Sequence, residues 1–250
     1  MKNTGVSICM AVYNGNKYIE GQLISILNQL HEEDEIIIVN DFSRDNTIEI
    51  IEGFQDPRIK IFHNEKNKGH VKSFEKAISL STNELIFLSD QDDIWMPGKI
   101  TFFKKYFEEQ KVQLISSSFI CFDNDYNINS DDKYKLYNSD STKYYENIFR
   151  IFKGNIPYFG CAMGFRREFL EVILPFPDYV EAHDLWIGMA ANIVKSNLHI
   201  EENSILHRIH DANATPLQRP FFKKIKSRII FIKSYLELRK RNKYFDIFKT

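Results

Sequence analysis

Three carboxylates close a strand-like run in this chain. Leu85-Ile86-Phe87-Leu88-Ser89 leads at once into Asp90, Asp92 and Asp93, with Gln91 between them and Trp95 just beyond. Asp is a poor strand former, and three like charges within four positions repel one another. A hard cation such as Mg²⁺ or Mn²⁺ relieves that repulsion through oxygen ligands. In open α/β sheets, ligands gather beyond the carboxyl ends of the strands, which is where these acids fall. The bare residues leave a second reading open, a solvated turn in which Asp92 or Asp93 caps the helix that follows.

Other candidates for chemistry lie downstream. His183-Asp184-Leu185-Trp186 opens a helical stretch. Asp184 there is either a first-turn acid stabilised by the helix dipole or a general base desolvated by its apolar neighbours. Arg208 offers a guanidinium for bidentate contact with diphosphate oxygens, or an ordinary surface salt bridge. His210, with His207 as its rival, offers an imidazole suited to Mn²⁺, or a plain polar turn residue. Trp95 and Trp186 are core residues by default, and Trp186 is also a platform for a sugar face.

The elements that must position these groups follow from periodicity. Val6–Val12, Glu35–Asp41, Arg58–Phe62 and Leu85–Ser89 read as strands. Between them, Lys17–Leu30, Thr47–Phe54 and Val71–Leu80 carry apolar residues at helical spacing. This β-α-β-α-β-α-β order predicts an α/β fold with a doubly wound, mainly parallel sheet flanked by helices. Further on, a helix is expected over Lys99–Gln110, a strand over Val112–Phe122 and a long polar loop over Asn124–Thr142. A helix is expected over Arg166–Val172, another from His183 to about Val194, and a strand over Asn203–Ile209. Gly160-Cys161-Ala162-Met163-Gly164 suggests close approach of the backbone to a ligand or another strand. Neither a G-x-G-x-x-G turn nor a Walker loop is present.

Composition sets the bounds. The chain has 250 residues, 43% hydrophobic and 14% aromatic, enough for one globular domain with a small appendage. No run approaches the roughly 18 apolar residues of a membrane span, and no leader-like stretch opens the chain. Cys9, Cys121 and Cys161 fit a reducing cytoplasm, with no disulfide or zinc spacing. A net charge of −1 conceals an asymmetry: from Arg219 onward the charge is about +9, leaving about −10 on the body. Residues 1–218 are therefore expected to form the enzyme-like domain and 219–250 a basic, amphipathic helical tail suited to an anionic membrane surface. Base and aromatic residues interleave there without any nucleic-acid motif.

The ordered motifs resemble glycosyltransferase family 2, inverting enzymes of the GT-A fold. Ala11-Val12-Tyr13-Asn14-Gly15 is similar to the family's opening strand and turn, and Val39-Asn40-Asp41-Phe42-Ser43-Arg44-Asp45 to its V-D-D-G-S-x-D block. Asn67-Lys68-Gly69 with Phe74 resembles the N-x-G loop and helix. Ser89-Asp90-Gln91-Asp92-Asp93-Ile94-Trp95 resembles the D-x-D region, His183-Asp184-Leu185-Trp186 the block supplying the base, and Arg208-Ile209-His210-Asp211-Ala212-Asn213 a late R-x-H-x-x-N. The wording of the D-x-D and H-D-x-W blocks is most similar to the rhamnosyltransferase branch. Asn40 and Phe42 depart from the usual Asp and Gly.

The resemblance implies transfer of a sugar from a nucleotide-sugar, dTDP- or UDP-linked, to a hydroxyl of a glycan or lipid-linked glycan in cell-surface polysaccharide synthesis. It implies Asp184 as base, and Asp92, Asp93 and His210 as ligands of Mn²⁺ or Mg²⁺. Ala11, Tyr13, Asn14, Asp41, Asn67, Gly69, Asp90, Gln91 and Arg208 would line the donor site, with His183 and Trp186 facing the acceptor. Such an enzyme would work at the cytoplasmic face of the membrane, held by the tail. Two rival classes share the fold: a nucleotidyltransferase, which wants a Gly- and base-rich first loop in place of Tyr13-Asn14-Gly15-Asn16-Lys17, and a non-catalytic sugar-nucleotide-binding module, which would not need the acids. Donor hydrolysis with and without Mn²⁺ separates the three.

Overall fold

The computed structural model describes residues 5–129, 132–210 and 221–247. Its first half follows the sequence pattern closely. Strands β1 (Val6–Val12), β2 (Glu35–Asn40), β3 (Ile59–His63) and β4 (Leu85–Ser89) are joined by helices α1 (Ile19–Leu27), α2 (Thr47–Gly53) and α3 (His70–Leu80). All four strands are parallel, in the order β3-β2-β1-β4. Buried on both faces, β1, β2 and β4 need continuous apolar runs, which is how they read. The register pairs Val12 with Asn40 and Met10 with Ser89. The turns carrying Tyr13, Asp41 and Asp90 therefore leave the sheet at the same end.

The second half is mixed. Strand β5 (Ile94–Trp95) precedes α4 (Lys99–Glu109), and β6 (Leu114–Phe122) pairs with β7 (Ile128–Asn129). Then come α5 (Tyr144–Lys153), β8 (Met163–Arg166), the short α6 (Leu170–Ile173), α7 (His183–Ile193), β9 (Asn197–Arg208) and α8 (Phe221–Ile247). The sheet continues β4-β8-β6-β9-β5, with β8 antiparallel to both its neighbours.

Here the sequence reading needs correction. The segment from Arg166 is a strand end and a 3-10 turn before it is a helix, because β8 threads the middle of the sheet. The small residues serve that passage: a Cβ on Gly164 would lie 3.0–3.1 Å from the rings of Phe103 and Phe87. The expected long loop holds β7 and two single 3-10 turns. Helix α5 falls where no element was expected, and β9 begins at Asn197, ahead of Asn203.

Helix α8 has two apolar sides. Leu238 and Ser234 are buried against the body, and the Phe231 ring lies 5.2 Å from Phe152. Arg241 donates to the carbonyls of Val172 and Pro175. Ile225, Ile229, Ile232 and Leu236, spaced by four, three and four positions, are exposed on the other side. Asp211, Ala212, Asn213, Arg219 and Lys249 lie outside the described residues, as do the side chains of Lys223, Lys224 and Lys243. No described helix is long and apolar enough to cross a membrane.

Candidate active site

The three acids diverge once β4 ends. Gln22, fully buried on α1, donates from Nε2 to Ser89 Oγ and to the Asp90 carbonyl, fixing the point where the chain leaves the sheet. Two residues of β5 then pair with β9, Ile94 with Leu206 and Trp95 with Ile205. That pairing folds the acidic turn onto the end of β9, where the late His and Arg residues stand.

Asp92 meets His210 there: Oδ2 lies 2.8 Å from Nε2, and both side chains are largely buried. Asp93 turns inward, wholly buried, with Oδ1 accepting from His207 Nδ1 at 2.9 Å and from the Arg208 amide at 3.0 Å. Each imidazole thus has its own acid. The His207–Asp93 pair is a buried ion pair. Burial would lower the imidazole, but the Asp93 carboxylate raises it to about 9; burial would raise the Asp93 carboxyl, but His207 holds it below its ordinary value. Asp93, Cys161 and His207 present ligand-type atoms within 4.8 Å of one another. The ion pair uses Asp93 Oδ1, while Oδ2 is buried without a hydrogen-bond partner among the described residues, and the Lys99 ammonium donates beside it to the Cys161 carbonyl at 2.6 Å. Asp93, expected as a metal ligand, also ties the acidic turn to β9 through the Arg208 amide.

Asp90 and Asp92 are held differently. Burial, then the charges of Asp93 and Asp92, push the Asp90 carboxyl up to about 8. Burial and Asp93 also raise Asp92, with His210 opposing. Crowded, partly desolvated carboxylates beside an imidazole nitrogen are a donor set that a divalent cation would stabilise, and the imidazole favours Mn²⁺ over the all-oxygen shell of Mg²⁺. The residues present fit such an ion, with Asp92 and His210 as its holders.

Arg208 is buried. Nε donates to the Asp92 carbonyl at 3.0 Å, and the guanidinium sits 4.8 Å from the Tyr18 ring, 4.3 Å from Phe122 and 5.6 Å from Tyr126. Tyr18 also stacks on His210, at 5.0 Å. Arg208 thus tethers the Asp92 backbone, and Tyr18 lies between its guanidinium and the His210 ring.

The loops after β1 and β2 meet the acidic turn on its other side. Tyr13, half-exposed, exchanges two backbone hydrogen bonds with the Gln91 amide at 2.9 and 3.1 Å, tying Ala11-Val12-Tyr13 to the acidic turn. A Cβ on Gly15 would collide with the same amide. Asn14 Oδ1 accepts from the Arg44 amide. Asp41 is buried: Oδ1 accepts from Asn64 Nδ2 at 2.9 Å and the Lys68 amide at 2.7 Å, and Oδ2 from the Gly69 amide at 2.8 Å. Asn67 Oδ1 accepts from the same Gly69 amide. Gly69, at φ 84, adopts a backbone that glycine tolerates best. The Asp41 carboxylate thus shapes the loop carrying Asn67 and Gly69. Asn40 Oδ1 accepts from the Ser43 amide, and Phe42 sits at φ 69, where the family pattern has glycine, with the Arg44 guanidinium 5.0 Å over its ring.

On α7, Asp184 stands in the first turn, accepting from the Leu185 amide at 2.7 Å, near enough to Asp90 for its charge to raise that carboxyl. His183 is buried, stacked on Phe74 at 4.2 Å and edge-on to His70 at 5.8 Å, and burial drives its imidazole down to about 3. Trp186 is buried too, with Nε1 donating to the Ile173 carbonyl and Arg241 5.2 Å from its ring. Trp186, expected to face the acceptor, is 2% exposed and packs in the core. Sequence reasoning missed Gln22, Tyr18 and Lys99. Lys99 is fully buried with Nζ 3.9 Å from the Trp95 ring, and burial lowers it to about 7.

Comparison with known proteins places the chain by family and fold. An uncharacterized glycosyltransferase of Methanocaldococcus jannaschii is 30% identical over 214 residues, covering 82% of this chain and 70% of that one. An Escherichia coli protein named UDP-Glc:alpha-D-GlcNAc-diphosphoundecaprenol beta-1,3-glucosyltransferase WfgD is 35% identical over 95 residues, 38% of each chain. The chain spans 40%, 66% and 33% of the length of three further relatives. Staphylococcus aureus TarS in complex with UDP-GlcNAc superposes with a TM-score of 0.68 at 15% identity, over 96% of this chain and 73% of TarS. Mycobacterium tuberculosis glucosyl-3-phosphoglycerate synthase, solved with Mn²⁺ and UDP, superposes at 0.60 and 14% identity, over 95% and 81%. These likenesses establish a GT-A-like fold. Residues 7–174 match glycosyl transferase family 2, and the chain belongs to that family.

Proposed function

We propose that this protein is a metal-dependent inverting glycosyltransferase that moves a sugar from a UDP- or dTDP-sugar to a hydroxyl of a glycan or lipid-linked glycan. The observation that carries this reading is the Asp92–His210 pair at the ends of β4 and β9, with Asp184 on the facing helix. The neighbours' complexes with UDP, UDP-GlcNAc and Mn²⁺ support a nucleotide-sugar donor and a divalent ion. The diphosphoundecaprenol in the E. coli relative's name supports a lipid-carried acceptor.

In this reading the Asp41-shaped loop and the Tyr13 turn take the nucleotide, and Asp90 and Gln91 flank its sugar end. Asp92 and His210 hold the cation, which when bound supplies charge neutralisation for the leaving diphosphate. Asp184 accepts the proton of the acceptor hydroxyl as its oxygen bonds to the anomeric carbon. The bond from that carbon to the diphosphate oxygen breaks on the opposite face, inverting the centre. Arg208 and Tyr18 keep His210 in place. The sugar is a hexose or rhamnose, and the exposed apolar stripe and bases of α8 hold the protein on the cytoplasmic face of a membrane.

The test is donor turnover. A thermal-shift panel of UDP- and dTDP-sugars, dTDP-rhamnose included, should show one donor raising Tm by mass action. That donor should be hydrolysed slowly with Mn²⁺ and not in excess chelator. Stabilisation by no nucleotide-sugar, or turnover indifferent to chelator, defeats the proposal.

A further inference from the structure

A third segment stands between the acidic turn and the helix that carries Asp184. Gly160-Cys161-Ala162 forms a buried 3-10 turn just ahead of β8. Lys99, the first residue of α4, reaches it: the ammonium donates to the Cys161 carbonyl at 2.6 Å and lies 3.9 Å from the Trp95 ring. Lys99 is fully buried. Burying a charge is costly unless hydrogen bonds and ring contacts offset it. An unbranched apolar side chain would fill the same space without that cost, so packing alone does not call for an ammonium here. On its other side the turn receives α7. His183 is buried, and among the described residues neither ring nitrogen has a hydrogen-bond partner. Its Nε2 faces Gly160, where an added Cβ would stand 2.8 Å away, and Phe74 stacks on the ring at 4.2 Å. Ala182, just before it, provides no side-chain cap. The seat of His183 therefore sets where the first turn of α7 stands, and with it Asp184.

We propose that Lys99 and Gly160 are positioning residues for the reaction. The Lys99 ammonium fixes the Cys161 turn beside the strand that follows the acids. The bare Gly160 lets His183 dock on that turn, so Asp184 is registered against Asp92. This rests on the glycosyltransferase reading, in which Asp92 holds the cation and Asp184 accepts the proton, and it adds the residues that set the spacing between them. Neither residue touches substrate. A misplacement of about 1 Å can cost on the order of 10²-fold in rate, so a small shift at His183 shows in turnover even where the fold is kept.

Two substitutions in the full chain test this. Lys99→Met removes the charge and the hydrogen bond and keeps the volume; Gly160→Ala presses on the same contact from the other side. The donor is the nucleotide-sugar that stabilises the parent in a panel of UDP- and dTDP-sugars, with Mn²⁺ present and water as acceptor. Each variant should lose about tenfold or more in nucleotide release, with the Kd for that donor within about twofold of the parent's. Hydrogen exchange read by mass spectrometry should quicken over residues 182–188, although neither substitution lies on α7, and stay unchanged in β1 and β2. In an Asp184→Asn background either change should cost less than about twofold more, because no base is left to place. Should Lys99→Met not fold, Gly160→Ala carries the same readouts. Parental release, parental exchange over 182–188, or a loss that multiplies with that of Asp184→Asn, in either folded variant, overturns the proposal. Asp184→Asn alone separates the two readings. If it releases nucleotide at the parental rate, the assignment of the base fails. If it is slow while Lys99→Met and Gly160→Ala are fast, only the positioning role fails.

Discussion

Asp92 Oδ2 and His210 Nε2 meet at 2.8 Å although 118 positions separate them. The pairing of β5 with β9 brings them together. If this pair holds the cation, Asp92→Ala should abolish transfer in a folded protein. His210→Ala, which leaves the carboxylate, should raise the Mn²⁺ concentration for half-maximal activity by at least the 10–100-fold typical of even outer-shell losses. A metal titration of both variants, with circular dichroism as the fold control, checks this. Unchanged Mn²⁺ dependence in His210→Ala would remove His210 from the site.

Asp184 is expected to act late. Asp184→Asn keeps shape and hydrogen bonding but cannot take a proton, so turnover should fall about 10²–10⁴-fold while donor Kd stays within a few-fold. Parallel loss of donor affinity would place Asp184 in the donor pocket.

Much of this site was legible in residue types, because hard-cation ligands, a helix-opening acid and strand-ending turns each have a local signature. The division of labour was not. Asp92 and Asp93 look interchangeable in sequence, and only the strand pairing sends one to His210 and the other into a buried bond with His207. Lys99 reads as an ordinary first-turn residue, yet Trp95 covers it once β5 joins the sheet. The antiparallel β8 was hidden because four residues, one of them Gly164, carry too little periodicity to betray a strand.

Phe42 tests the cost of the departure from glycine. A non-glycine residue in the left-handed region costs roughly 1–2 kcal/mol, and the exposed contact with Arg44 returns roughly 0.5–1 kcal/mol. The strain outweighs the contact, so Phe42→Gly should raise stability by up to about 1 kcal/mol in urea denaturation. Destabilisation by more than that would show that the ring packs against more than Arg44.

Acid should unfold this protein early. Burial lowers His183 to about 3 and His199 to about 4, so both stay neutral in the folded state below their ordinary 6.5. The unfolded chain takes up those protons first, so their contribution is complete above pH 6.5 and declines as pH falls toward 4. Two such sites give about 2.7 kcal/mol per pH unit around pH 5, and Asp90, whose raised carboxyl holds a proton there that the unfolded chain has lost, opposes them with about half of that, leaving about 1.4. Glu35 acts in the same direction lower down: burial opposes it, but Lys60, Ser7 and Thr82 hold it at about 2, so its contribution is lost below 4.5. Stability from urea denaturation between pH 4.5 and 7 should follow that net slope, and His199→Gln should remove most of it. A flat profile would mean that these imidazoles reach water.

The exposed side of α8 should bind anionic membranes. Truncation is a poor test, because Leu238 belongs to the core and Arg241 bonds to Val172 and Pro175. Point changes on the outer stripe avoid that. Lys226, Lys233, Arg239 and Lys240 are exposed, worth about 1 kcal/mol each near an anionic leaflet. Four half-exposed aliphatic side chains add about 1 kcal/mol each on burial. These are ceilings, since Lys226 is shared with Glu181 and salt screens the rest over about 8 Å. The acidic body would be repelled, so α8 should set the orientation. Pelleting with phosphatidylserine vesicles should therefore be strong at low salt and weak at 0.5 M. It should be lost in Ile229→Asp/Ile232→Asp, whose Tm and donor hydrolysis match the parent. Vesicle binding by that double variant at the parent's level would show that the stripe is not the anchor.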